Sequence, residues 1–388
     1  MTRTAKRCSI GLGILLAVCL WSLWPDTSPD ESFRLGQQAL ARGDWSAAAR
    51  HLVKLRQSPT HADQERVLRG GLLLQTGEPR GALRELARVR ADSQWQTQAM
   101  LLQCEANYQL QQWIAAEQIA VELLRRNSDD AEAHRWLGAI YFDLGATAQT
   151  EVHLKELARL RPRDYSPHRL LGLIHKDFER FQEAIGDYQH ALKLKPPPDV
   201  ALAIQLELAK SQIQLHQFSE ALQTLDEMGA ESNVERRTLA AECLWSLQRK
   251  DEARLQLRQA QVSGPNDPNV LWQTARMALD EGRAFEALPP LQQLVTADAF
   301  NHQWLYELSK VHRRLGHEAE ADQFLERRQV AYDLTRQLVE LNQRAINEPT
   351  NAALRDELAA VCEQLGKTNL ATVWRQAAEA LRTTPGGR

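Results

Sequence analysis

The chain has 388 residues, a formal net charge of −3 at pH 7 and an aromatic content of 6%. It is rich in Ala, Leu, Gln, Arg and Glu, which lose little side-chain freedom in a helix, and Gly and Pro are sparse. This composition predicts an all-α protein and argues against an all-β or disordered chain. Acidic and basic residues are interspersed rather than gathered into a basic face, so we expect no nucleic-acid partner.

An uncharged segment from Cys8 to Trp24 follows three basic residues and ends at Pro25. A basic region before an apolar stretch is typical of membrane-targeting segments, and this stretch is close to the minimum length that spans a bilayer. Because the basic residues precede it, the positive-inside rule predicts a cytoplasmic N-terminus and places the remaining chain at the outer face of the membrane, in the periplasm. We therefore predict a signal anchor in residues 1–25, with residues 8–24 in the membrane.

Three other interpretations of this segment stay open. A cleaved signal peptide would leave a soluble periplasmic or secreted protein, but the sequence offers no good small-x-small cleavage site between Leu16 and Ser28. Leu16 to Cys19 resembles a lipoprotein signal with Cys19 lipidated, although Val18 stands where a small residue is usual. The last interpretation is a buried N-terminal helix of a cytosolic protein.

A repeat then occupies most of the chain. Windows of 34 residues begin at Pro29, Asp63, Thr97, Ala131 and Tyr165, and further windows begin at Leu202, Val234, Pro268 and His302. The eighth residue is small in every window: Gly36, Gly70, Cys104, Gly138, Gly172, Ala209, Ala241, Ala275 and Ser309. The twentieth is small or nearly so: Ala48, Ala82, Ala116, Thr150, Ala184, Ala221, Ala253, Ala287 and Ala321. Because helices approach closely only where facing side chains are small, each window predicts one antiparallel helix pair.

These columns resemble the tetratricopeptide repeat (TPR), and the likeness is best from Tyr165 to Pro198. Glycines at the turn between the two helices support it: Gly43, Gly77, Gly145, Gly282 and Gly316. The resemblance covers residues 29–328 and implies a right-handed superhelical solenoid of about nine or ten repeats. For residues 329–388 we predict the remainder of a long helix, Glu318 to Asn347, then an atypical tenth repeat that caps the array and a disordered tail.

Patterns that would indicate catalysis or metal binding are absent from the sequence. It has no phosphate-binding loop, nucleophile elbow or His-Glu-x-x-His pair, and its five cysteines form no Cys-x-x-Cys pair. His134 and His168 both occupy window position four, which we interpret as packing rather than a metal site. We therefore predict a protein that is not an enzyme, with no cofactor, metal or small-molecule substrate.

The resemblance also implies a binding groove, because in TPR proteins positions two, five, nine, twelve and thirteen of each first helix face the concave side. In the middle of the chain these positions hold Arg135, Arg169, Lys176 and Lys210. Towards the C-terminus they hold Trp245, Trp272, Arg276, Tyr306, Lys310, Arg313 and Arg314. Guanidinium groups beside aromatic rings predict a partner peptide that carries carboxylates. The alternative is that Trp245 and Trp272 pack between repeats.

The predicted function is therefore a protein-binding scaffold of the bacterial envelope type. The competing hypothesis is an accessory subunit for polysaccharide export or envelope biogenesis that binds a glycan or its synthase. The TPR clamp on acidic chaperone tails is disfavoured, because Ala139 and Leu173 stand where that clamp requires Asn. A further possibility is that the helix from Glu318 to Asn347 occupies the groove itself.

Overall fold

A computed structural model of the protein describes residues 27–229, 233–348 and 351–383, and within these ranges it contains twenty α-helices and no strand. The first ten are α1 Pro29–Ala41, α2 Trp45–Arg56, α3 Ala62–Gln75, α4 Pro79–Leu86, α5 Gln96–Gln109, α6 Trp113–Arg126, α7 Ala131–Asp143, α8 Thr147–Leu160, α9 Ser166–Asp177 and α10 Phe181–Lys193. The next ten are α11 Pro198–Gln214, α12 Phe218–Glu227, α13 Val234–Ser246, α14 Lys250–Ser263, α15 Pro268–Asp280, α16 Ala284–Ala297, α17 His302–Arg314, α18 Glu318–Asn347, α19 Ala352–Gln364 and α20 Thr368–Thr383. The predicted all-α array of antiparallel helix pairs is confirmed.

Each helix pair is joined by a tight turn with a left-handed residue. Six of these residues are glycines with φ between 69° and 80°: Gly43, Gly77, Gly145, Gly282, Gly316 and Gly366. The same place in the other four pairs holds non-glycine residues with φ between 56° and 63°: Gln111, Glu179, His216 and Gln248. The turn geometry is therefore common to all ten pairs, although a side chain makes it less favourable at four of them.

Side-chain caps begin many of the first helices. Asp130 illustrates the arrangement, because its Oδ1 accepts hydrogen bonds from the backbone N–H groups of Glu132 and Ala133, both at 3.0 Å. Asn233, Asp267, Asn301 and Asn351 cap α13, α15, α17 and α19 in the same way. These caps satisfy N–H groups that have no partner within the helix and so fix where each repeat begins.

The small residues of the two columns lie inside the helix pairs. All eleven that the repeat singles out most clearly are buried: Gly36, Ala48, Gly70, Ala82, Gly138, Gly172, Ala184, Ala221, Ala253, Ala287 and Ala321. A Cβ atom added to Gly36 would lie 2.6 Å from Leu68 Cδ2, and one added to Gly70 would lie 2.6 Å from Leu86 Cγ. A larger residue at either point would therefore have to displace the neighbouring leucine side chain.

The chain forms two compact units. The N-terminal unit comprises the chain up to Glu179 together with Gln189–Pro196, and the C-terminal unit comprises Arg180–Tyr188 together with the chain from Pro197 onwards. In the N-terminal unit, α1 packs on α3, α3 on α5 and α5 on α7, so that successive first helices lie side by side. Its core is built from leucines such as Leu55, Leu68 and Leu137, each at most 1% exposed.

Leucines are central to three of the apolar clusters in the described part of the C-terminal unit. One surrounds Leu225 and Leu257, the second surrounds Leu291 and Leu305, and the third joins Leu341 of α18 to Leu358 of α19. Helix α18 has the predicted bounds, and its first part packs on α17 while its later part contacts α19.

The predicted membrane-anchored localisation is wrong. None of the helices in the described ranges is both long enough and apolar enough to cross a bilayer. Residues 8–24, on which that prediction and the bacterial envelope type depended, lie outside the described residues. Neither the anchor nor the envelope type is supported.

Candidate peptide-binding groove

The side-by-side first helices of the N-terminal unit form a surface with two pockets. The first, here called the N-terminal pocket, lies between α1, α3 and α5 and has a volume of about 220 Å³. Its lining includes Gln37, Leu40, Val67, Gly71, Gln98 and Glu105. A Cβ atom on Gly71 would lie 2.9 Å from Leu40 Cδ1, so a side chain there would have to displace Leu40, which also lines the pocket.

The second pocket, here called the central pocket, lies between α7 and α9 and has a volume of about 320 Å³. Its walls are mainly apolar: Ala139, Phe142, Leu154, Leu157, Pro167 and Leu170. Phe142 is 52% exposed and Leu170 is 40% exposed, although both are large apolar side chains beside a cavity. This combination provides a water-accessible apolar surface with room for a side chain of another molecule.

Polar groups surround the central pocket. Tyr108 donates its hydroxyl hydrogen to Asp143 Oδ2 at 2.6 Å, and burial together with this hydrogen bond raises the pKa of Tyr108 to about 12. Arg135 donates from Nε to Glu132 Oε2 at 2.6 Å, and its guanidinium carbon lies 4.4 Å above the Trp136 ring. The guanidinium is thereby held at the edge of the pocket by a carboxylate and an aromatic face.

Glu105 lies on α5 and lines the N-terminal pocket. Its side chain is half-buried, and burial raises the pKa of its carboxyl group against the opposing effect of Arg135. The nearby Glu132 raises this pKa further. A carboxylate in this position is incompletely solvated and gains from any additional cation or hydrogen-bond donor.

The predicted groove residues in the middle of the chain have mixed surroundings. Arg135 lines the central pocket, and Arg169 is half-buried on α9. Lys176 lies 3.6 Å from the Asp177 carboxylate. Lys210 lies 2.8 Å from Glu207 and 2.6 Å from Glu235; burial alone would lower its pKa, but these two carboxylates hold it above the usual value.

The tryptophans predicted for the C-terminal part of the groove pack against the chain itself. Trp245 is only 9% exposed and donates from Nε1 to Asp280 Oδ2 at 2.9 Å. Trp272 is half-buried against the cluster around Leu291. Tyr306 remains 42% exposed, with Lys310 Nζ and Arg328 Cζ at 5.2 and 5.0 Å from its ring centre.

The basic residues of this C-terminal set have acceptors within the chain. Arg276 donates to Glu242 at 2.8 Å, and Lys310 lies 2.9 Å from Glu307. Arg313 pairs with Glu318 and Asp322, and Arg314 donates to the Leu279 carbonyl oxygen at 3.4 Å. A carboxylate ligand would have to compete with these contacts, so a binding role for this set stays a prediction.

The histidines at window position four pack against partners within their own repeats. His134 Nδ1 lies 2.9 Å from His153 Nδ1, and the rings of His168 and His190 are 4.0 Å apart at their centres. Within the described residues, no group of three or more His, Cys, Asp or Glu side chains is placed to hold a metal ion.

Sequence reasoning missed Glu105, Phe142 and Gly71, although the signal was present. Glu105 and Gly71 occupy window position nine, and Phe142 occupies position twelve, so the groove positions already included them. The sequence pattern gives their position in the repeat but does not show which of these positions lie beside an open pocket.

Known structures with a similar fold were found. The crystal structure of the apo form of RapI matches with a TM-score of 0.58 at 8% sequence identity, over 80% of this chain and 98% of RapI. Human IFIT1, in a dimer with m7Gppp-AAAA, matches with a TM-score of 0.41 at 14% identity, over 93% of this chain and 92% of IFIT1. YrrB, described as a TPR protein with an unusual peptide-binding site, matches with a TM-score of 0.38 at 16% identity, over 48% of this chain and 94% of YrrB.

No protein-family model matches the sequence, and no curated protein matches it either. The likeness to RapI shows the helical fold and nothing more specific. The chain is therefore a helical-repeat protein whose fold is similar to that of RapI.

Proposed function

We propose that this chain is a protein-interaction scaffold without catalytic activity, and that the groove of its N-terminal unit binds a segment of a partner protein. The observation that carries this proposal is the central pocket, which is apolar, about 320 Å³ in volume and flanked by the exposed side chains of Phe142 and Leu170. Apolar surface of this kind is unfavourable in water and is typical of binding sites.

Binding would be a simple equilibrium in which no covalent bond forms or breaks. A bulky apolar side chain of the partner enters the central pocket, and its complete burial contributes about 1.5–3 kcal/mol. Arg135 and the Ser166 hydroxyl lie at the pocket and are placed to bind polar groups of the partner. Because the pocket is formed by packed helices, little conformational entropy is lost on binding.

The test uses a library of random twelve-residue peptides displayed on phage and selected on the full chain. Selected peptides are then synthesised, and their affinity is measured by fluorescence anisotropy for the unmodified chain and for Ala139→Phe, which fills the central pocket. The matched control is Ile114→Phe on α6, where the native side chain is 72% exposed. Circular dichroism confirms that each variant is folded.

We expect Ala139→Phe to weaken binding at least about tenfold, as the loss of one buried apolar anchor predicts, and Ile114→Phe to leave it unchanged. A second pair, Leu170→Asp against Val152→Asp, separates a pocket effect from a folding defect, because Val152 is 58% exposed on the second helix α8. Peptides that bind all four variants equally would show that the groove is not the binding site.

A further inference from the structure

One charged residue, Glu105, lies in the otherwise uncharged lining of the N-terminal pocket. Its lining consists of aliphatic side chains, Gly71, the amides of Gln37, Gln75 and Gln98, and the carboxylate of Glu105. An amide or an aliphatic group tolerates many ligands, whereas a carboxylate selects for a positive charge or a hydrogen-bond donor. Glu105 is therefore the residue in this pocket that can discriminate between partners by charge.

The chain itself leaves this carboxylate poorly compensated. Its hydrogen bond comes from Gln109 Nε2 at 3.4 Å, and within the described part of the chain no Lys, Arg or His nitrogen lies within 4.0 Å of it. Arg135 is near enough to influence Glu105, but its Nε donates to Glu132 instead. The half-buried position keeps water from solvating the carboxylate fully.

The two pockets are close neighbours along α5. Tyr108, which lines the central pocket, lies three residues after Glu105, and thus about one helical turn or 5 Å along the helix. One short segment of a partner can therefore contact both pockets. In a helical peptide, side chains three to four residues apart lie about 5–6 Å from each other, which matches the separation between Glu105 and the edge of the central pocket.

The charged side chains that line the two pockets also favour a cationic partner. Glu105 and Asp164 contribute two negative charges to the linings and Arg135 contributes one positive charge, and Glu132, which pairs with Arg135, also pairs with Arg161. This is the opposite of the acidic partner that the basic residues near the C-terminus predicted.

We propose that the groove of the N-terminal unit selects a cationic amphipathic segment, in which a Lys or Arg side chain pairs with Glu105 and a Leu, Met or Phe side chain three to four residues away fills the central pocket. This inference rests on the function proposed above, because it specifies the partner of the same groove. The cation supplies the compensation that the half-buried carboxylate lacks, and the apolar side chain covers Phe142 and Leu170.

The phage selection on the full chain tests this directly through the sequences it enriches. We expect Lys or Arg to recur three or four positions from Leu, Met or Phe. Synthetic peptides from this set should bind Glu105→Gln about tenfold more weakly, since a hydrogen bond to a charged group is lost without a change of shape. The matched control is Glu156→Gln on α8, which removes the same charge from a glutamate that pairs with Arg159.

A double-mutant cycle makes the assignment specific. Replacing the peptide's Lys with Gln should weaken binding to the unmodified chain, and it should abolish the difference between the unmodified chain and Glu105→Gln. Peptides that lose affinity with Ala139→Phe but show no excess of basic residues, or ignore Glu105→Gln, would overturn this inference and leave the proposed function standing. Selected peptides that ignore Ala139→Phe, or a selection that enriches none, would overturn the proposed function itself.

Discussion

Alanine substitutions at three helical glycines test whether close helix packing is the reason for the small-residue column. Gly70 is tightly enclosed, because a Cβ atom there would lie 2.6 Å from both Cγ and Cδ2 of Leu86. Gly138 is intermediate, with Leu154 Cδ2 at 3.3 Å, and Gly186 in α10 has nothing within 4 Å. The three positions share a helical backbone and differ in the space available.

The expected magnitudes follow from two opposing effects. Replacing a helical glycine with alanine stabilises the helix by about 1 kcal/mol at each position. Forcing a methyl group into a packed core costs about 1–3 kcal/mol, and this cost applies fully at Gly70, where Leu86 is only 1% exposed. We therefore expect Gly186→Ala to stabilise by about 0.5–1 kcal/mol, Gly138→Ala to change little, and Gly70→Ala to destabilise by about 1 kcal/mol.

The assay is equilibrium unfolding in guanidinium chloride, followed by far-ultraviolet circular dichroism. A double-mutant cycle with Leu86→Ala adds a direct check of the contact, because the methyl group of Gly70→Ala should become stabilising once the leucine is truncated. If Gly70→Ala stabilised the protein as much as Gly186→Ala does, or if the two sites did not couple, packing would not explain the glycine column.

Three further outcomes follow from buried groups. Burial raises the pKa of the Cys104 and Cys243 thiols to about 12, so neither should react with iodoacetamide at pH 8 until the chain unfolds; mass spectrometry of labelled peptides checks this, and rapid labelling of the native chain would contradict it. Trp245→Phe removes the hydrogen bond to Asp280 and should destabilise the folded chain by about 1.5–3 kcal/mol in guanidinium unfolding, without changing its affinity for peptides. A loss of peptide affinity at unchanged stability would instead show that Trp245 contacts the partner. Burial, and secondarily the nearby His317, lowers the pKa of His312 from 6.5 in the folded chain. The unfolded chain therefore binds this proton first, and the free energy of unfolding falls as the pH drops below about 6.5. For His312→Phe, unfolding at several pH values should show a smaller loss of stability in acid, and an unchanged slope would refute this role.

Much of the fold follows from local sequence. The columns headed by Gly36 and Ala48 define which helix faces meet, and the glycines at the turns show where each pair reverses direction. Gln111, Glu179, His216 and Gln248 adopt the same left-handed turn, and their place is recognised by spacing rather than by residue type. Each repeat needs only its own residues and its neighbours to specify this geometry, which is why the pattern is visible in the sequence.

Which groove positions are open to a partner depends on contacts between repeats, and the sequence pattern does not show these contacts. Position within the repeat predicts that Trp245 and Arg276 lie on the groove face. In the structure, Trp245 donates a hydrogen bond to Asp280, 35 residues away, and Arg276 donates one to Glu242, 34 residues away. The same positions are open at Phe142 and Glu105, because their neighbours leave a pocket there. Local periodicity determines the direction in which a side chain points, whereas its exposure depends on the size and charge of residues in adjacent helices, and only the tertiary structure brings those together.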